Sequence, residues 1–410
     1  MAEVKKQDML NVDLFSVVVL HYSQQQYINE ALDSVFVQDY DNIELIIADD
    51  GTPGLDTSRI QAYVEAHRTD RIAKVVYLFS QENLGTVRNV NQALRAASGR
   101  YALFFAADDT LYDSKVLTNF AKTLSGLPTD HYMVTAQCAM MDDAMEEKLG
   151  DFVNVPLSYN MNKGTAMDQY RKLVFSCCFA MGATAFKMEM LNDKGYFDET
   201  YKIIEDWSYY LSLTYGGSKI TYVDFNALKH RDGGVSHFNQ EVLPSHVIEY
   251  KNDSLLIQER LVLPHLSNFP LPEQVKLMNR YDWERKCFAQ LSTGKPRPSR
   301  ISLMARHKGF YAHKLVWWLI DNDAHFRKAC LSAAKILLIV WAALRVIEIV
   351  AVALLPEQQW ILLHTPAYYI ITLIVLILFI ASVAAWLFLI IIRRLLAIRM
   401  WLKNLFSRKQ

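Results

Sequence analysis

The feature that most constrains this chain of 410 residues is the run 367–392, which contains 26 residues and no charged side chain. A helix needs about 20 apolar residues to cross the hydrocarbon core of a bilayer. A second run, 336–355, has 20 residues of which only Arg345 and Glu348 are charged, and at i and i+3 of a helix these two can pair. The sequence therefore predicts two transmembrane helices, with a buried or interfacial helix as the alternative for the earlier run.

The residues that flank the two runs predict their orientation. Six basic residues and no acidic ones lie in 393–410, further basic residues precede the earlier run, and the connector 356–366 has no Lys or Arg. Because loops on the cytosolic side carry the excess of Lys and Arg, both ends of this hairpin are predicted to be cytosolic. The basic and aromatic segment 297–320 suits a helix in the headgroup region, and an ordinary surface helix with a linker is the alternative.

Charge, cysteine content and the N-terminal residues exclude several classes of protein. The 43 basic and 43 acidic side chains cancel, so no overall field recruits nucleic acid. The five cysteines are an odd number without metal-ligand spacing, which is typical of a protein in a reducing compartment. Residues 1–10 lack the apolar core of a signal peptide, so we expect the first domain to stay in the cytosol.

The first 240 residues have a different pattern, in which β-rich runs alternate with helical patterns. The β-rich runs are 15–20, 43–49, 73–79 and 101–107, and the helical patterns between them are 27–36, 59–68 and 87–97. This alternation predicts βαβ units, and hence an α/β fold with a mostly parallel sheet flanked by helices. In such sheets ligands bind at the carboxyl ends of the strands, so the residues at these ends are the candidates for a site.

Polar and acidic residues stand at three of these four ends. In chain order they are His21-Tyr22-Ser23, Asp49-Asp50 and Asp108-Asp109. A pair of carboxylates suits a hard divalent cation, whose other ligands include phosphate oxygens of a substrate. Either pair alone could simply cap a helix or a turn. Two pairs at equivalent ends of one sheet favour a cation site.

A third acidic element, Glu205-Asp206, precedes the helical pattern 207–217. Carboxylates at the start of a helix are common for capping reasons alone. In a group-transfer enzyme, however, one such carboxylate can take the proton from an acceptor hydroxyl. Glu205-Asp206 is therefore a candidate for the catalytic base.

Taken in order, these elements resemble family 2 of the inverting nucleotide-sugar glycosyltransferases, over residues 12–240. The segments that carry the resemblance are VVVLHYS, ADDGT, QENLGTVRNVNQAL, SGRYALFFAADD, GYFDE, EDW and HRDGGVS. The resemblance implies a GT-A type fold, which is a mixed, mostly parallel sheet flanked by helices. It also implies a nucleoside diphosphate sugar as donor and a divalent cation, Mn or Mg, as cofactor.

For the donor, the resemblance implies that Tyr22, its neighbour His21 and Asp49 hold the nucleotide base and ribose. Asp50 would support this loop or the ribose. Family members often have Arg where this chain has valine, and Arg88 lies two residues earlier, so its contact with the nucleotide is an open question. Three basic residues are either diphosphate ligands or part of a solvated loop: Lys229, His230 and Arg231.

For the reaction, the resemblance implies that Asp109 coordinates the metal, with Asp108 near the sugar or ribose hydroxyls. The metal motif of the family is often Asp-x-Asp-Asp, and its first position here is Ala106. The metal would therefore depend on Asp108 and Asp109 together. Asp206 would be the catalytic base, and Glu205 would position the base or the acceptor.

These inferences divide the chain into three parts. A GT-A catalytic domain is predicted for 1–240, and a helical extension with juxtamembrane interfacial helices for 241–330. The remainder, 331–410, would contain the membrane anchor, with transmembrane helices at about 336–355 and 367–392 and a basic cytosolic tail.

The predicted function is that of a multi-pass enzyme of the inner (plasma) membrane with a cytosolic catalytic domain. It would transfer a hexosyl-type sugar, with inversion, from a nucleoside diphosphate sugar, a UDP-sugar in the first instance. The acceptor would be lipid-linked, a polyprenyl diphosphate-sugar of cell-surface glycan synthesis. The alternatives are a polyprenyl-phosphate glycosyltransferase that charges the bare lipid phosphate, and a non-catalytic membrane scaffold or sensor that binds nucleotide sugar. The absence of a Gln-x-x-Arg-Trp motif and the small number of spans argue against a processive synthase.

Overall fold

The computed structural model describes residues 12–152, 160–232, 245–291, 323–354 and 366–407. The described residues fall into two compact units, the first within Met1–Phe269 and Glu284–Arg297 and the second within Pro270–Trp283 and Pro298–Gln410. Several sequence features named above lie wholly or almost wholly outside the described residues: the N-terminal 1–10, the Gly-Gly-Val-Ser element at 233–236, the segment 297–320 and the connector 356–366.

The described strands and helices alternate along most of the first unit. The strands are β1 (Phe15–His21), β2 (Ile43–Asp49), β3 (Ile72–Phe79), β4 (Tyr101–Ala106), β5 (Thr110–Leu111), β6 (Met133–Met141), β7 (Lys148–Asp151), β8 (Thr184–Lys187) and β9 (Ile220–Arg231). The helices are α1 (Ile28–Phe36), α2 (Thr57–His67), α3 (Thr86–Ala96), α4 (Val116–Ser125), α5 (Ala166–Leu173), α6 (Glu189–Lys194), α7 (Asp206–Tyr215), α8 (Ser245–Ile257), α9 (Leu271–Leu291), α10 (Asp323–Leu354) and α11 (Pro366–Ser407).

The described strands form one sheet, in the order β3-β2-β1-β4-β8-β6-β9-β5, with β7 paired to β6. Within the group β1 to β4, every pair of neighbouring strands is parallel. Strand β8 then runs antiparallel to both β4 and β6, and β9 runs parallel to β6. The predicted mixed α/β sheet flanked by helices is confirmed, and the purely parallel part coincides with the β-rich runs that the sequence makes visible.

Strands β1 and β2 are buried along almost their whole length, which explains why they are continuous apolar runs rather than alternating ones. Alternate residues such as Val17 and Leu45 share one hydrophobic cluster with Leu32 of α1 and Phe120 of α4. Full burial of one such side chain stabilises the fold by roughly 1.5–3 kcal/mol. The parallel half of the sheet is therefore a rigid base for the loops at its carboxyl edge.

The register of β1 brings the predicted strand ends to that edge. His21 is paired with Asp49 across β1 and β2, and Leu20 is paired with Ala106 across β1 and β4. Because the three strands are parallel and end at the same level, the residues that follow them meet on one side of the sheet. The sequence-based expectation about the place of the site therefore agrees with the fold.

A buried carboxylate ties the first strands together away from this edge. Glu44 is fully buried, and its oxygens accept hydrogen bonds from Ser16 Oγ at 2.5 Å, Lys74 Nζ at 2.5 Å and Ser98 Oγ at 2.7 Å. Burial alone would raise the pKa of Glu44, but the bonds from Lys74, Ser16 and Ser98 hold this pKa below its ordinary value. Glu44 therefore stabilises the fold as the carboxylate.

We expect Glu44→Gln to lower the free energy of unfolding by about 1–3 kcal/mol at pH 7, because it leaves charge-assisted donors without their partner. A lowered pKa in the folded state means that the stabilisation is present above the ordinary pKa of Glu and is lost as the pH falls through the lowered value. Denaturant unfolding of both proteins at pH 7 and in acid measures this. Glu65→Gln is the control, since Glu65 pairs with Arg68 at an exposed position. An equal effect of the two substitutions would contradict the assignment.

In the second unit, α10 and α11 contact each other. Each contains a stretch that is long and apolar enough to cross a membrane, Lys328–Ile347 and Ile370–Phe388, and few residues of either stretch are buried within the protein. The guanidinium of Arg345 lies 5.6 Å from the centre of the Trp341 ring. The side chain of Glu348, the predicted partner of Arg345, lies outside the described residues.

Candidate active site

The ends of β1 and β2 are joined by a buried hydrogen-bonded group. His21 Nδ1 lies 2.6 Å from Asp49 Oδ1, and Asp49 also accepts from the Thr52 amide at 2.9 Å and the Thr52 hydroxyl at 2.5 Å. All three residues are buried, whereas Tyr22 is 43% exposed. Asp49 is thus occupied in fixing the turn and the histidine. Tyr22 is the residue of this group that is open to a ligand.

The turn after Asp50 requires glycine at position 51. Gly51 has φ +75°, and a Cβ on it would lie 2.3 Å from the carbonyl carbon of Glu82. This close approach allows the Asp50 carboxylate to accept from the amides of Leu84 at 2.7 Å and Gly85 at 3.0 Å. Asp50 therefore joins the end of β2 to the first turn of α3.

Asp108 and Asp109 form the turn after β4, and both are buried. Asp109 lies 3.0 Å from Nδ1 of His230 and accepts from the Arg231 amide at 3.2 Å. Burial, followed by the charge of Asp109, raises the pKa of Asp108, and the nearby His230 partly opposes this. Two carboxylates held together in this way are electrostatically suited to a cation.

Arg231 holds this turn in place from the end of β9. It is buried, and its guanidinium donates to Glu30 at 2.5 Å, to the carbonyl of Asp108 at 3.0 Å and to the carbonyl of Asp143. The same guanidinium lies 4.1 Å from the centre of the Tyr27 ring. One of the two interpretations of residues 229–231 is a solvated basic loop. Arg231 does not fit that interpretation, because its side chain is buried.

Glu205 and Asp206 lie at the start of α7. Asp206 accepts from the Trp207 amide at 2.5 Å and from the Cys177 thiol at 3.6 Å, and the Trp207 indole donates to the Leu173 carbonyl at 2.7 Å. These contacts fix the orientation of the Asp206 carboxylate. Glu205 precedes the helix as its N-cap residue, and its side chain makes no capping hydrogen bond.

Burial raises the pKa of both carboxyl groups of this pair. Burial, followed by the charge of Asp206, raises the pKa of Glu205 to about 8. Burial also raises the pKa of Asp206, but the Trp207 amide and the Cys177 thiol favour its carboxylate. The larger effect of burial and charge on Glu205 favours its neutral form, and the hydrogen bonds to Asp206 favour the carboxylate there.

The remaining predicted site residue, Arg88, points to a different partner. Its Nε lies 3.8 Å from the carboxylate of Glu199, and both side chains are exposed. Lys229, the first of the three basic residues on β9, has its Nζ 5.6 Å from the centre of the Tyr112 ring. Within the described part of the chain, neither contact leads to Asp49 or Asp109.

The donor set at the turn after β4 fits a divalent cation as a partial site. Among the described residues, no three His, Cys, Asp or Glu side chains are gathered so that they could hold a metal ion by themselves. Mg²⁺ and related cations commonly bind one or two carboxylates and complete their shell with water and substrate phosphates. Asp108 and Asp109 supply such a pair, and His230, one of the three basic residues named above as possible diphosphate ligands, lies beside Asp109.

Residues 16–189 match the model of the family Glycosyl transferase family 2. A similar curated protein is an uncharacterised glycosyltransferase of Haemophilus influenzae, which is 27% identical over 220 residues, 52% of this chain and 64% of that protein. Another is the glycosyltransferase GlyA of Streptococcus pneumoniae, 22% identical over 341 residues, 80% of this chain and 44% of that protein. The chain thus spans about half of the length of these relatives. Residues 16–189 thus match a family 2 glycosyltransferase domain, in agreement with the resemblance seen in the sequence.

The chain is also similar to solved structures. Staphylococcus aureus TarS 1–349 in complex with UDP-GlcNAc has a TM-score of 0.46 and 19% identity, over 65% of this chain and 72% of that one. The mannosyltransferase PcManGT from Pyrobaculum calidifontis, in complex with GDP-Man and Mn²⁺, has a TM-score of 0.46 and 17% identity, over 75% of this chain and 85% of that one.

Proposed function

We propose that this chain is a membrane-anchored, metal-dependent, inverting glycosyltransferase. It moves a sugar from a nucleoside diphosphate sugar to a lipid-linked acceptor, a polyprenyl diphosphate-sugar, in cell-surface glycan synthesis. The observation that carries the proposal is the Glu205–Asp206 pair at the start of α7, where the Trp207 amide and the Cys177 thiol orient the Asp206 carboxylate. It occurs in a chain whose residues 16–189 match the family 2 model.

The donor would be bound at the carboxyl edge of β1, β2 and β4. The exposed Tyr22 offers an aromatic surface for the nucleotide base, above the fixed group of His21, Asp49 and Thr52. Asp50 keeps the loop of the nucleotide site joined to α3. A UDP-sugar is the donor to test first.

At the diphosphate, Asp108 and Asp109 would hold Mn or Mg, with the imidazole of His230 beside Asp109. When bound, such a cation offsets the negative charge of the leaving diphosphate. Arg231 keeps the two carboxylates in place by its bonds to the Asp108 carbonyl and to Glu30. Arg231 thus acts through its contacts with the protein, by positioning the turn that contains Asp108 and Asp109.

Transfer forms a bond between the acceptor oxygen and the anomeric carbon, while the bond from that carbon to the diphosphate oxygen breaks on the opposite face. The proton of the acceptor hydroxyl passes to the carboxylate of Asp206, and the electron pair of the broken bond leaves with the nucleoside diphosphate. The contacts of Asp206 with Trp207 and Cys177 orient the carboxylate for this step. Glu205, protonated, adds no competing charge.

The lipid-linked acceptor and the membrane location rest on the second unit. Its two apolar stretches, Lys328–Ile347 and Ile370–Phe388, have the length and composition of membrane spans. The basic residues of 393–410 favour a cytosolic location for the end of the chain. An enzyme anchored in this way would meet a polyprenyl headgroup at the cytosolic face of the inner membrane.

This topology predicts the location of two reporters. A reporter fused after Gln410 should be cytosolic, and one inserted at Glu357, in the connector, should be exported, because two spans return the chain to its starting side. Paired alkaline phosphatase and fluorescent-protein fusions distinguish the two sides. A cytosolic reporter at Glu357 would show that the earlier run lies in the interface and does not span the bilayer.

Release of nucleoside diphosphate from a panel of nucleotide sugars tests the function itself. The full chain is incubated with each sugar in the presence of a membrane lipid extract, and products are identified by mass. We expect one donor to be consumed and one lipid to gain the mass of its sugar. A gain on bare polyprenyl phosphate would favour the lipid-charging alternative, and binding of a donor without turnover would favour a scaffold or a sensor.

A further inference from the structure

The loop that leads into the catalytic pair is held by one buried carboxylate from a distant helix. Asp253 of α8 is 1% exposed. Its Oδ2 accepts hydrogen bonds from the backbone amides of Lys202 at 2.8 Å, Ile203 at 2.7 Å and Ile204 at 3.1 Å. Glu205 follows directly. Helix α8 lies beyond the residues 16–189 that match the family model.

Three amides on one carboxylate oxygen form an anchor that the oxygen of a neutral amide would hold less strongly. Hydrogen bonds to a charged acceptor are roughly twice as strong as those between neutral groups. Buried amides that lose their acceptor cost about 1–3 kcal/mol each. Because Glu205 makes no capping hydrogen bond with its side chain, the backbone before α7 depends on Asp253 for its position.

The same loop is held on its other side by the first turn of α3. The Val87 amide donates to the Lys202 carbonyl at 3.3 Å. A Cβ at Gly85 would lie 3.1 Å from that carbonyl oxygen, so the close approach needs the glycine, whose φ is +90°. Asp50 in turn accepts from the Gly85 amide at 3.0 Å. The loop is therefore fixed between the donor side of the site and α8.

We propose that Asp253 is a positioning residue for the catalytic pair, holding loop 202–204 so that the Asp206 carboxylate meets the acceptor hydroxyl. This inference rests on the proposed function. A positioning role of Asp253 differs from a purely structural role, because the Asp253 charge also acts on Glu205. The pH dependence of turnover therefore measures this role.

The charged and titratable groups around Glu205 define this electrostatic effect. They are Asp206 on the same helix, Cys177 and Tyr210 near Asp206, and Asp253 on α8. Burial, then Asp206, and to a smaller extent Asp253 raise the pKa of Glu205. Removal of the Asp253 charge therefore lowers this pKa, and Glu205 ionises at a lower pH than in the unmodified protein.

The test compares Asp253→Asn with Glu249→Gln in the full chain. Glu249 is the matched control, because it lies one turn earlier on α8 and contacts Lys202 only through the exposed Nζ at 2.9 Å. We expect Asp253→Asn to lower kcat roughly 10²-fold, the size expected for a misplacement of about 1 Å, with the donor KM unchanged. In the pH–rate profile, the inflection that reports Glu205 is the one that is absent from Glu205→Gln. In Asp253→Asn this inflection should move to lower pH. Glu249→Gln should change neither quantity.

Thermal unfolding and nucleoside diphosphate binding establish that the variants are folded. If Asp253→Asn does not fold, Asp253→Glu takes its place, with the charge kept and the carboxylate displaced by one methylene. That variant should keep the inflection and lose kcat. A folded Asp253→Asn protein with unchanged kcat and unchanged inflection would overturn the inference, as would a folded Asp253→Glu protein with unchanged kcat where that variant takes its place. An inactive Asp206→Asn would still support the proposed function. An active Asp206→Asn would overturn the function itself.

Discussion

Asp206→Asn is expected to lower turnover about 10²- to 10⁴-fold, the contribution typical of a positioned general base. Asparagine keeps the size of the side chain and can still accept the Trp207 amide, but it cannot take a proton from the acceptor hydroxyl. The donor KM should change little, because the nucleotide is held at the ends of β1 and β2 and not at α7. The fold should survive, since Asn is about as good as Asp at the start of a helix.

The pH dependence of turnover adds a second readout for Asp206. Burial raises the pKa of its carboxyl group above the ordinary value for Asp. The base must be ionised, so activity is lost as the pH falls through this raised pKa, and the acid limb lies above that of an ordinary aspartate. The limb should disappear in Asp206→Asn. Steady-state kinetics over a range of pH values measures both effects.

Two comparisons make this assignment specific. Asp198→Asn is the control, because Asp198 is an exposed aspartate of the same region that caps Thr200 and pairs with the exposed Arg260 at 4.0 Å, and it should retain normal turnover. If Asp206→Asn remained active and Glu205→Gln were inactive, the roles of the two residues would have to be exchanged. If both remained active, the base would lie elsewhere.

The second large effect is expected for Asp109→Asn and for chelation, each of which should reduce transfer by at least about 10²-fold. A Lewis-acid cation contributes several kcal/mol to the transition state, and each 1.36 kcal/mol corresponds to a factor of ten in rate. Asparagine supplies an oxygen but no charge, so it leaves one carboxylate, Asp108, for the cation. The metal dependence of nucleoside diphosphate binding, followed by calorimetry, gives a readout that does not require turnover.

Add-back and a matched variant complete this test. Mn²⁺ or Mg²⁺ in excess over the chelator should restore transfer by the unmodified protein but not by Asp109→Asn. Asp113→Asn is the control, since Asp113 is an exposed aspartate four residues further on that caps the Lys115 amide. Full activity in excess chelator would contradict the assignment of Asp108 and Asp109 to a metal.

The parallel half of the fold could be predicted because its signals are local. Strands β1 to β4 are short runs rich in apolar residues, each followed by turn residues, and helices separate them. Strands β6, β8 and β9 escaped prediction, because segments such as 133–141 and 220–231 mix polar and apolar residues without regular alternation. Their place in the sheet is decided by antiparallel and parallel pairing between residues far apart in the chain.

The candidate site divides in the same way. Asp49, Asp109 and Asp206 could be named as candidates from the sequence, because each follows or opens a recognisable element. Arg231 stands out in the sequence only as part of a basic run, and Asp253 does not stand out at all, because their contacts with the Asp108 turn and with loop 202–204 join segments about 50 or more residues apart. A basic residue or a lone carboxylate carries no local sign of such a contact. Their roles become visible only from burial and hydrogen-bond partners.

The most direct test of the central claim follows a labelled sugar. The full chain in membranes is incubated with a nucleoside diphosphate sugar that carries a label in the sugar, in the presence of a membrane lipid extract. The products in the organic phase are then analysed by mass. We predict that the label moves from the nucleotide to a polyprenyl-linked product, whose anomeric configuration, read by NMR, is inverted, and that Asp206→Asn leaves the label on the nucleotide. Label that never enters the lipid phase with any donor, or that enters it equally with Asp206→Asn, would contradict the account.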